Sequence, residues 1–162
     1  MRTIYYSLYA SPIGRLLLGV SDRGLAYLEF AGRSSGAQAR KGWVESEEKT
    51  ARWRAQLDEY FRGNLKQFDL PLDLEGTDFQ KRCWNALLRI PYGKTRSYAE
   101  IAREVGSPRG FRAVGMANHD NPVAIVVPCH RVIASDGKLG GYGGGLEVKE
   151  KLLKLEGAWK QG

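Results

Sequence analysis

The sequence predicts an α/β fold in two lobes, a strand-rich lobe over residues 1–75 and a mostly helical lobe over residues 76–162. Two periodicities predict it. Residues 1–30 contain short runs rich in strand-forming side chains, whereas apolar residues recur at helical spacing beyond residue 77. The polar segment 75–78 separates the two patterns. A chain of 162 residues with 43% apolar content can bury a core, so we expect a folded globular protein.

The strand-rich lobe is predicted to combine an antiparallel meander with one helix. The turn-forming residues 21–24 separate two apolar strand segments, which favours a hairpin. Trp53, Leu57 and Tyr60 recur at helical spacing before Gly63, a residue type that commonly ends helices. The predicted elements are strands over residues 3–8, 16–20 and 25–30, a loop over 31–42, a helix over 47–62 and a short strand over 68–74.

The second lobe is predicted to be a series of short helices with recognisable starts. Thr77 or Asp78, then Ser97, then Ser107 are residue types that cap helix N-termini, and Pro108 suits the first position of the helix after Ser107. The predicted helices cover residues 78–90, 98–105, 108–119 and 146–156.

Positive charge is concentrated in the second lobe. Residues 1–75 carry a net charge of +1, whereas residues 76–162 carry +6. Two short helices joined by a tight turn in this basic half are typical of a helix-turn-helix, and the charge favours an anionic partner such as DNA. A plain helical hairpin with a solvated basic surface is the alternative. Ala113 and Ala117 share a helix face near Gly115, which permits close approach to DNA or to another helix.

Composition bears on the location of the protein and on its cofactors. Every apolar stretch is far shorter than the ~20 residues that cross a bilayer, and the first residues lack a charged leader followed by an apolar run. We therefore expect a cytoplasmic protein without membrane contact. Cys83 and Cys129 are the two cysteines, and neither CxxC nor HxxxH spacing is present. The sequence therefore predicts reduced thiols, no metal site and no cofactor.

Cys129 is the candidate nucleophile. It follows Pro128 at the end of the apolar run 123–127, which predicts a buried strand with a cysteine at its mouth. The neighbouring His130 and Arg131 favour the thiolate, which is the reactive form. Because neighbouring side chains of a strand point to opposite faces, a direct bond between Cys129 and His130 needs a turn or a bridging water molecule. The alternative is a buried cysteine that only fills space.

Glu156 is a second candidate, at the edge of the apolar stripe of the last helix. That stripe is predicted to contain Val148, Leu152 and Leu155. A carboxylate that leans into an apolar face needs a partner, and a carboxylate–histidine–thiol relay would supply one. A contact between Glu156 and Lys149 near the surface is the alternative.

The segment 128–132, Pro-Cys-His-Arg-Val, stands within a longer series of motifs over about residues 76–158. The other members are Phe79, Gln80, Trp84, 91–93, Ser97, Tyr98, 112–115, Asn121, Pro122, 140–145, Lys149 and 155–157. In identity, order and spacing this half of the chain resembles the O6-alkylguanine-DNA alkyltransferases, also called methylated-DNA–protein-cysteine methyltransferases. Residues 1–75 resemble that family only in pattern.

The resemblance implies a fold and an activity. The first lobe would have a ribonuclease-H-like shape with a small antiparallel sheet, and the second would carry a winged helix-turn-helix. The implied activity is direct DNA repair by irreversible, single-turnover transfer of an alkyl group from guanine O6 in duplex DNA to Cys129, after minor-groove binding and base flipping. No cofactor is implied, because the protein is itself the acceptor. The expected partner of the monomer is duplex DNA containing O6-alkylguanine, and O4-alkylthymine stays open as a second substrate.

The resemblance also implies roles for individual residues. Cys129 would be the nucleophile, His130 its base through a water molecule, and Glu156 the group that orients His130. Tyr98 would donate to the guanine ring, and Asn121 would brace the motif. The implied substrate-binding residues are Val132, Tyr142, Gly143 and Lys149, and the implied DNA-binding residues are Ser107, Arg112, Ala113, Gly115 and Ser135, with Arg112 filling the gap left in the base stack.

One departure from the family and three rival functions bear on this interpretation. Gly143 stands where some relatives have serine, which would widen the guanine pocket. Alkyltransferase-like proteins, which only bind lesions, carry tryptophan where this chain has Cys129. A helix-turn-helix regulator would need a sensor domain, for which the sequence gives no sign. A cysteine hydrolase would regenerate its thiol, so turnover distinguishes it from an alkyltransferase.

Overall fold

The computed structural model describes residues 2–31 and 38–159, which form two compact units that divide between residues 75 and 76. The central part of the predicted loop 31–42, residues 32–37, lies outside the described residues.

The first unit is built on a four-stranded sheet with the strand order β3-β2-β1-β4. The predicted antiparallel meander is present as β1 (Tyr5–Ser11), β2 (Gly14–Ser21) and β3 (Gly24–Phe30). The short strand β4 (Val44–Glu45) pairs in parallel with β1, so the sheet is mixed and not purely antiparallel as expected.

Helix α1 (Glu47–Phe61) packs against this sheet. Its buried residues include Trp53, Leu57 and Tyr60, which agrees with the predicted helical stripe. The hydroxyls of Ser7 on β1 and Thr50 on α1 lie 2.7 Å apart and form a hydrogen bond inside the unit. Burial of apolar area at this face is the main stabilising contribution to the unit.

The segment 68–74 does not form the predicted strand. Leu72 makes a single parallel bridge to Leu25, whose backbone N–H donates to the carbonyl of Pro71 at 3.0 Å. Pro71 has no N–H to continue a ladder, so alternating apolar residues alone did not produce a strand here.

Helices α2 (Asp78–Leu88) and α3 (Tyr98–Glu104) of the second unit begin where the sequence predicted. Thr77 caps α2, and Ser97 caps α3. In both helices a capping box is complete, with Gln80 and Glu100 bonding back to the cap residues.

Helix α4 (Phe111–His119) starts later than predicted. Residues 108 and 109 form a turn in which the N–H of Gly110 donates to the carbonyl of Ser107 at 2.7 Å. Gly110 is the residue before the helix, and no side chain caps it, so the expectation that Ser107 caps the helix was wrong. Trp84 of α2 ties α4 in place, because its indole N–H donates to the carbonyl of Ala117 at 2.9 Å.

The apolar run 123–127 is buried, but it is not the predicted strand. It forms a series of turns in which Ile125 has a φ of 72°, a conformation that costs free energy for a β-branched residue. A short 3₁₀ helix (Cys129–Arg131) follows directly, then β6 (Val132–Ile133), which pairs in parallel with β5 (Arg96–Ser97). Helix α5 (Leu146–Leu155) closes the unit, with Leu153 buried in addition to Val148 and Leu152.

Candidate active site

Cys129 lies at the first position of the 3₁₀ helix and is 8% exposed. The side chain of Asn121 holds the segment before it, because its amide nitrogen donates to the carbonyl of Val127 at 2.9 Å and its oxygen accepts from the N–H of Val123 at 2.9 Å. The same amide nitrogen lies 3.3 Å from Sγ of Cys129. Asn121 therefore positions the turn and donates to the sulfur at once.

Burial raises the pKa of the Cys129 thiol, and two neighbouring side chains act against this shift. These are Asn121, through its hydrogen bond, and Lys149, through its positive charge. His130 and Arg131, which were expected to favour the thiolate, do not act as free cations beside it. Burial lowers the pKa of His130, which keeps it neutral, and the guanidinium of Arg131 is bonded to Glu156.

His130 is fully buried, and Glu156 bonds to it. Of the two partners considered for Glu156, a histidine and Lys149, the structure shows the histidine. Nε2 of His130 lies 2.8 Å from Oε2 of Glu156, whereas Nδ1 is buried with no hydrogen-bond partner among the described residues. Burial by itself raises the pKa of Glu156, but the hydrogen bonds from His130 and Arg131, together with the positive charge of Arg131, outweigh it and lower the pKa to about 2. Glu156 is therefore an ionised acceptor for an Nε2–H proton, which leaves Nδ1 as an open acceptor.

Lys149 contacts backbone carbonyls and not Glu156. Its Nζ donates to the carbonyls of Val132 at 2.6 Å, Leu139 at 2.5 Å and Gly141 at 3.0 Å. Burial lowers the pKa of this fully buried side chain to about 8, while the charge of Cys129 opposes the shift. These bonds connect the glycine-rich segment, residues 137–145, to β6.

Tyr98, the first residue of α3, lies beneath the glycine-rich segment. Its hydroxyl donates to the carbonyl of Gly141 at 3.5 Å, and burial raises its pKa, so it stays protonated at neutral pH. Gly140 has a φ of 73°, and a Cβ atom there would lie 3.0 Å from the Tyr98 ring, so a side chain would strain the backbone and crowd that ring. At Gly143 a Cβ would meet nothing within 4 Å.

A cavity of about 950 Å³ in the second unit opens onto Cys129. Its wall combines α4 with the start of α3 and the glycine-rich segment. The lining residues include Tyr98, Arg112, Gly115, Cys129, Ser135, Tyr142 and Gly143, all of which the sequence placed in the site. A buried thiol on the wall of an open cavity of this size can react with a ligand that enters it.

Comparison with known proteins identifies the chain. Residues 78–158 match the family model described as the 6-O-methylguanine DNA methyltransferase DNA-binding domain, and residues 4–74 match the model of the ribonuclease-like domain of the same proteins. The chain belongs to the methylated-DNA–protein-cysteine methyltransferase family. The match of residues 4–74 confirms the ribonuclease-like assignment of the first unit.

Members of this family resemble the chain over nearly its whole length. The methyltransferase of Methanosarcina acetivorans is 52% identical over 155 residues, which are 96% of this chain and 99% of that protein. The crystal structure of the Mycobacterium tuberculosis O6-methylguanine methyltransferase superposes with a TM-score of 0.86 at 47% identity, covering 98% of this chain and 94% of that one. The structure of Mycobacterium tuberculosis OGT in complex with DNA gives a TM-score of 0.86 at 49% identity, covering 95% and 93%.

Seven residues that the sequence assigned to the site do not line the cavity. His130, Glu156, Lys149 and Asn121 lie behind it and hold its wall. Val132 is buried, and its carbonyl is bonded to Lys149. Ala113 is exposed on α4, and Ser107 lies in the turn before that helix.

The structure adds cavity residues that sequence reasoning missed. Phe111 and Met116 are 51% and 59% exposed and line the cavity beside Arg112. Asn118 also lines it, and both polar atoms of its side chain are buried without a hydrogen-bond partner among the described residues. Helical spacing from Arg112 and Gly115 could have indicated this face.

Across residues 2–31 and 38–159, no group of three or more His, Cys, Asp and Glu side chains could hold a metal ion. Within the same part of the chain, no helix has the length and apolar character needed to cross a bilayer.

Proposed function

We propose that the protein repairs duplex DNA by moving an alkyl group, such as methyl, from guanine O6 to its own Cys129, once per molecule. The observation that carries this is the position of Cys129 on the cavity wall, with the buried His130–Glu156 pair behind it, in a member of this family. Relatives at 52% identity are named for the same reaction.

The arrangement supports a defined proton path. A water molecule between Sγ of Cys129 and Nδ1 of His130 would carry the thiol proton to the imidazole, whose Nε2–H is held by ionised Glu156. The thiolate then attacks the alkyl carbon, the carbon–oxygen bond breaks, and its electron pair goes to guanine O6. The hydroxyl of Tyr98, on the cavity wall, donates to the guanine ring and offsets the charge that develops there.

The product explains the single turnover. The new bond is a thioether to a saturated carbon, so there is no carbonyl to which water can add. Water held by His130 therefore cannot regenerate the thiol as it would in a cysteine hydrolase that forms a thioester. One protein molecule is consumed for each lesion repaired.

The remaining site residues have supporting roles in this proposal. Asn121 donates to the sulfur and braces the turn, and Lys149 holds the segment that carries Tyr142 and Gly143. Tyr142 and Gly143 line the cavity and would contact the guanine, while Val132 and Lys149 would support the pocket wall from behind. Gly143 leaves open space where a side chain would otherwise project.

The DNA-binding side would be a winged helix-turn-helix formed by α3 and α4. Helix α4 would lie in the minor groove, where Ala113 and Gly115 allow close approach and Arg112 fills the gap left by the flipped guanine. Ser107 and Ser135 would contact the backbone on either side. The net charge of +6 over residues 76–162 supports a salt-sensitive and largely sequence-tolerant interaction. We also propose that the protein acts as a cytoplasmic monomer without a cofactor, because the DNA is its only partner in this scheme.

Restoration of guanine tests the proposal. A duplex with one O6-methylguanine is incubated with wild-type protein, with Cys129→Ser and with Cys83→Ser, and its nucleosides are then separated. We expect one guanine restored per wild-type or Cys83→Ser molecule and none with Cys129→Ser, which should still bind the duplex. Undiminished repair by Cys129→Ser would overturn the assignment.

A further inference from the structure

Arg131 is buried, and its hydrogen bonds go to Glu156 and to one backbone carbonyl, while its guanidinium lies over the Tyr92 ring at 5.8 Å from the centroid. Nε lies 2.7 Å from Oε1 of Glu156, Nη2 lies 3.0 Å from Oε2, and Nη1 donates to the carbonyl of Ile90 at 2.8 Å. The guanidinium thus forms a bidentate contact with both oxygens of Glu156, the carboxylate that bonds to His130. Such a two-point contact fixes the plane of the carboxylate as well as its position.

We propose that Arg131 is a positioning residue for the proton transfer from Cys129, acting through Glu156 on His130. The proton transfer in this inference rests on the proposed function, whereas the contacts among Arg131, Glu156 and His130 are observed independently of it. Arg131 keeps Glu156 ionised and correctly aimed, so that Glu156 accepts the Nε2–H proton of His130 and Nδ1 stays open to receive a proton.

The charge of Arg131 has a second consequence. A buried Glu156 anion without a neighbouring cation would attract a proton to His130 and make imidazolium its resting form. A protonated Nδ1 cannot accept the thiol proton. The guanidinium balances the carboxylate and so keeps His130 neutral until the transfer occurs.

The directions of the pKa shifts agree with this geometry. Burial lowers the pKa of His130, Glu156 acts in the opposite direction, and the charges of Arg131 and Lys149 lower it further. The titratable and charged groups around the His130–Glu156 pair are Cys129, Arg131, Tyr92, Tyr142 and Lys149. Burial raises the pKa of both tyrosines, so they remain neutral, and Arg131 is the cation that contacts the carboxylate directly.

Nitrogen NMR of the imidazole rings tests the inference without any alkyl transfer. His130 and the exposed His119 are the two histidines, so His119 serves as an internal reference. In wild type we expect the Nε2–H tautomer at His130. In Arg131→Gln the midpoint of its titration should rise by about one pH unit or more, and Arg131→Lys should show a smaller rise. If Arg131→Gln does not fold, Arg131→Lys alone must still show the rise. An unchanged midpoint and tautomer would overturn the proposal.

Kinetics supply the second readout. With duplex substrate, the acid limb of the pH–rate profile should shift to higher pH in Arg131→Gln. The transfer rate below neutral pH should fall by about tenfold or more. The double variant Arg131→Gln/Glu156→Gln should transfer the alkyl group at nearly the same rate as Glu156→Gln alone. If the rate losses of the two single variants multiply in the double variant, Arg131 does not act through Glu156. Arg89→Gln, which breaks an exposed pair with Glu104, is the matched control. If wild type transfers nothing, the proposed function fails, and the imidazole titration still decides the role of Arg131.

Discussion

The side-chain amide of Asn121 donates to Sγ of Cys129 at 3.3 Å while it also donates to the carbonyl of Val127 at 2.9 Å. One side chain therefore determines both the position of the sulfur and part of its acidity. Burial raises the pKa of the thiol, and Asn121 supplies the largest opposing effect.

Replacing Asn121 should accordingly weaken the nucleophile. In Asn121→Ala the pKa of Cys129 should rise, and each unit of rise removes about tenfold of the thiolate at neutral pH. Transfer from free O6-benzylguanine, followed from pH 6 to 10, should slow most at low pH and recover as pH rises. Asn85→Ala, on the exposed face of α2, is the control. A uniform loss at every pH would instead indicate a purely structural role.

Arg112 should matter for DNA and much less for the reaction itself. It is exposed at the second position of α4 and lines the mouth of the cavity. Since its proposed task is to fill the base stack, Arg112→Ala should slow repair of duplex DNA far more than transfer from free O6-benzylguanine. Single-turnover rates on the two substrates give the ratio. Equal losses on both would contradict the stacking role.

Gly140 and Gly143, both in the glycine-rich segment, should respond differently to replacement by alanine. Gly140 has a φ of 73° and faces the Tyr98 ring, whereas a Cβ at Gly143 meets nothing within 4 Å. Gly140→Ala should lower the free energy of unfolding by about 1–3 kcal/mol and slow transfer, because it displaces Tyr98. Gly143→Ala should change stability by less than about 0.5 kcal/mol. Urea denaturation measures both, and similar losses would argue against this backbone geometry.

Stability should fall in acid because of Glu156. Its pKa is about 2 in the folded protein, below the ordinary value of 4.5, so the unfolded chain binds its proton first. The stabilisation is complete above about pH 4.5 and is lost as pH falls toward 2, with a magnitude of roughly 3 kcal/mol. Denaturant unfolding between pH 6 and 3 should show about 2 kcal/mol of this loss in wild type and in Glu147→Gln, an exposed control on α5. Glu156→Gln should be less stable throughout and show a smaller acid loss; an undiminished acid loss would refute the assignment.

Local signals explain why much of the fold was predictable. The cap residues Thr77 and Ser97, each followed three residues later by Gln80 or Glu100, determine helix starts through short-range hydrogen bonds. Ser107 has no such partner, because the residue three positions on is Gly110, and there the predicted start was wrong.

Long-range contacts explain the rest. The sequence of residues 123–127 predicted a strand because a buried strand and a buried series of turns have the same apolar composition. The turns are distinguished by the side chain of Asn121, which bonds to two of their backbone groups. The direction of the Arg131 side chain depends on a carboxylate 25 residues away. No pattern in the sequence distinguishes that contact from one with the adjacent thiol.

Intact-protein mass spectrometry tests the central claim most directly. The protein is mixed with a duplex containing one O6-methylguanine, and the modified peptide is then mapped in wild type and in Cys83→Ser. We expect one added methyl group, located on Cys129, in both proteins, and a reaction that stops at one equivalent. An unchanged mass despite tight binding to the lesion duplex would contradict the account and make the protein a lesion-binding module.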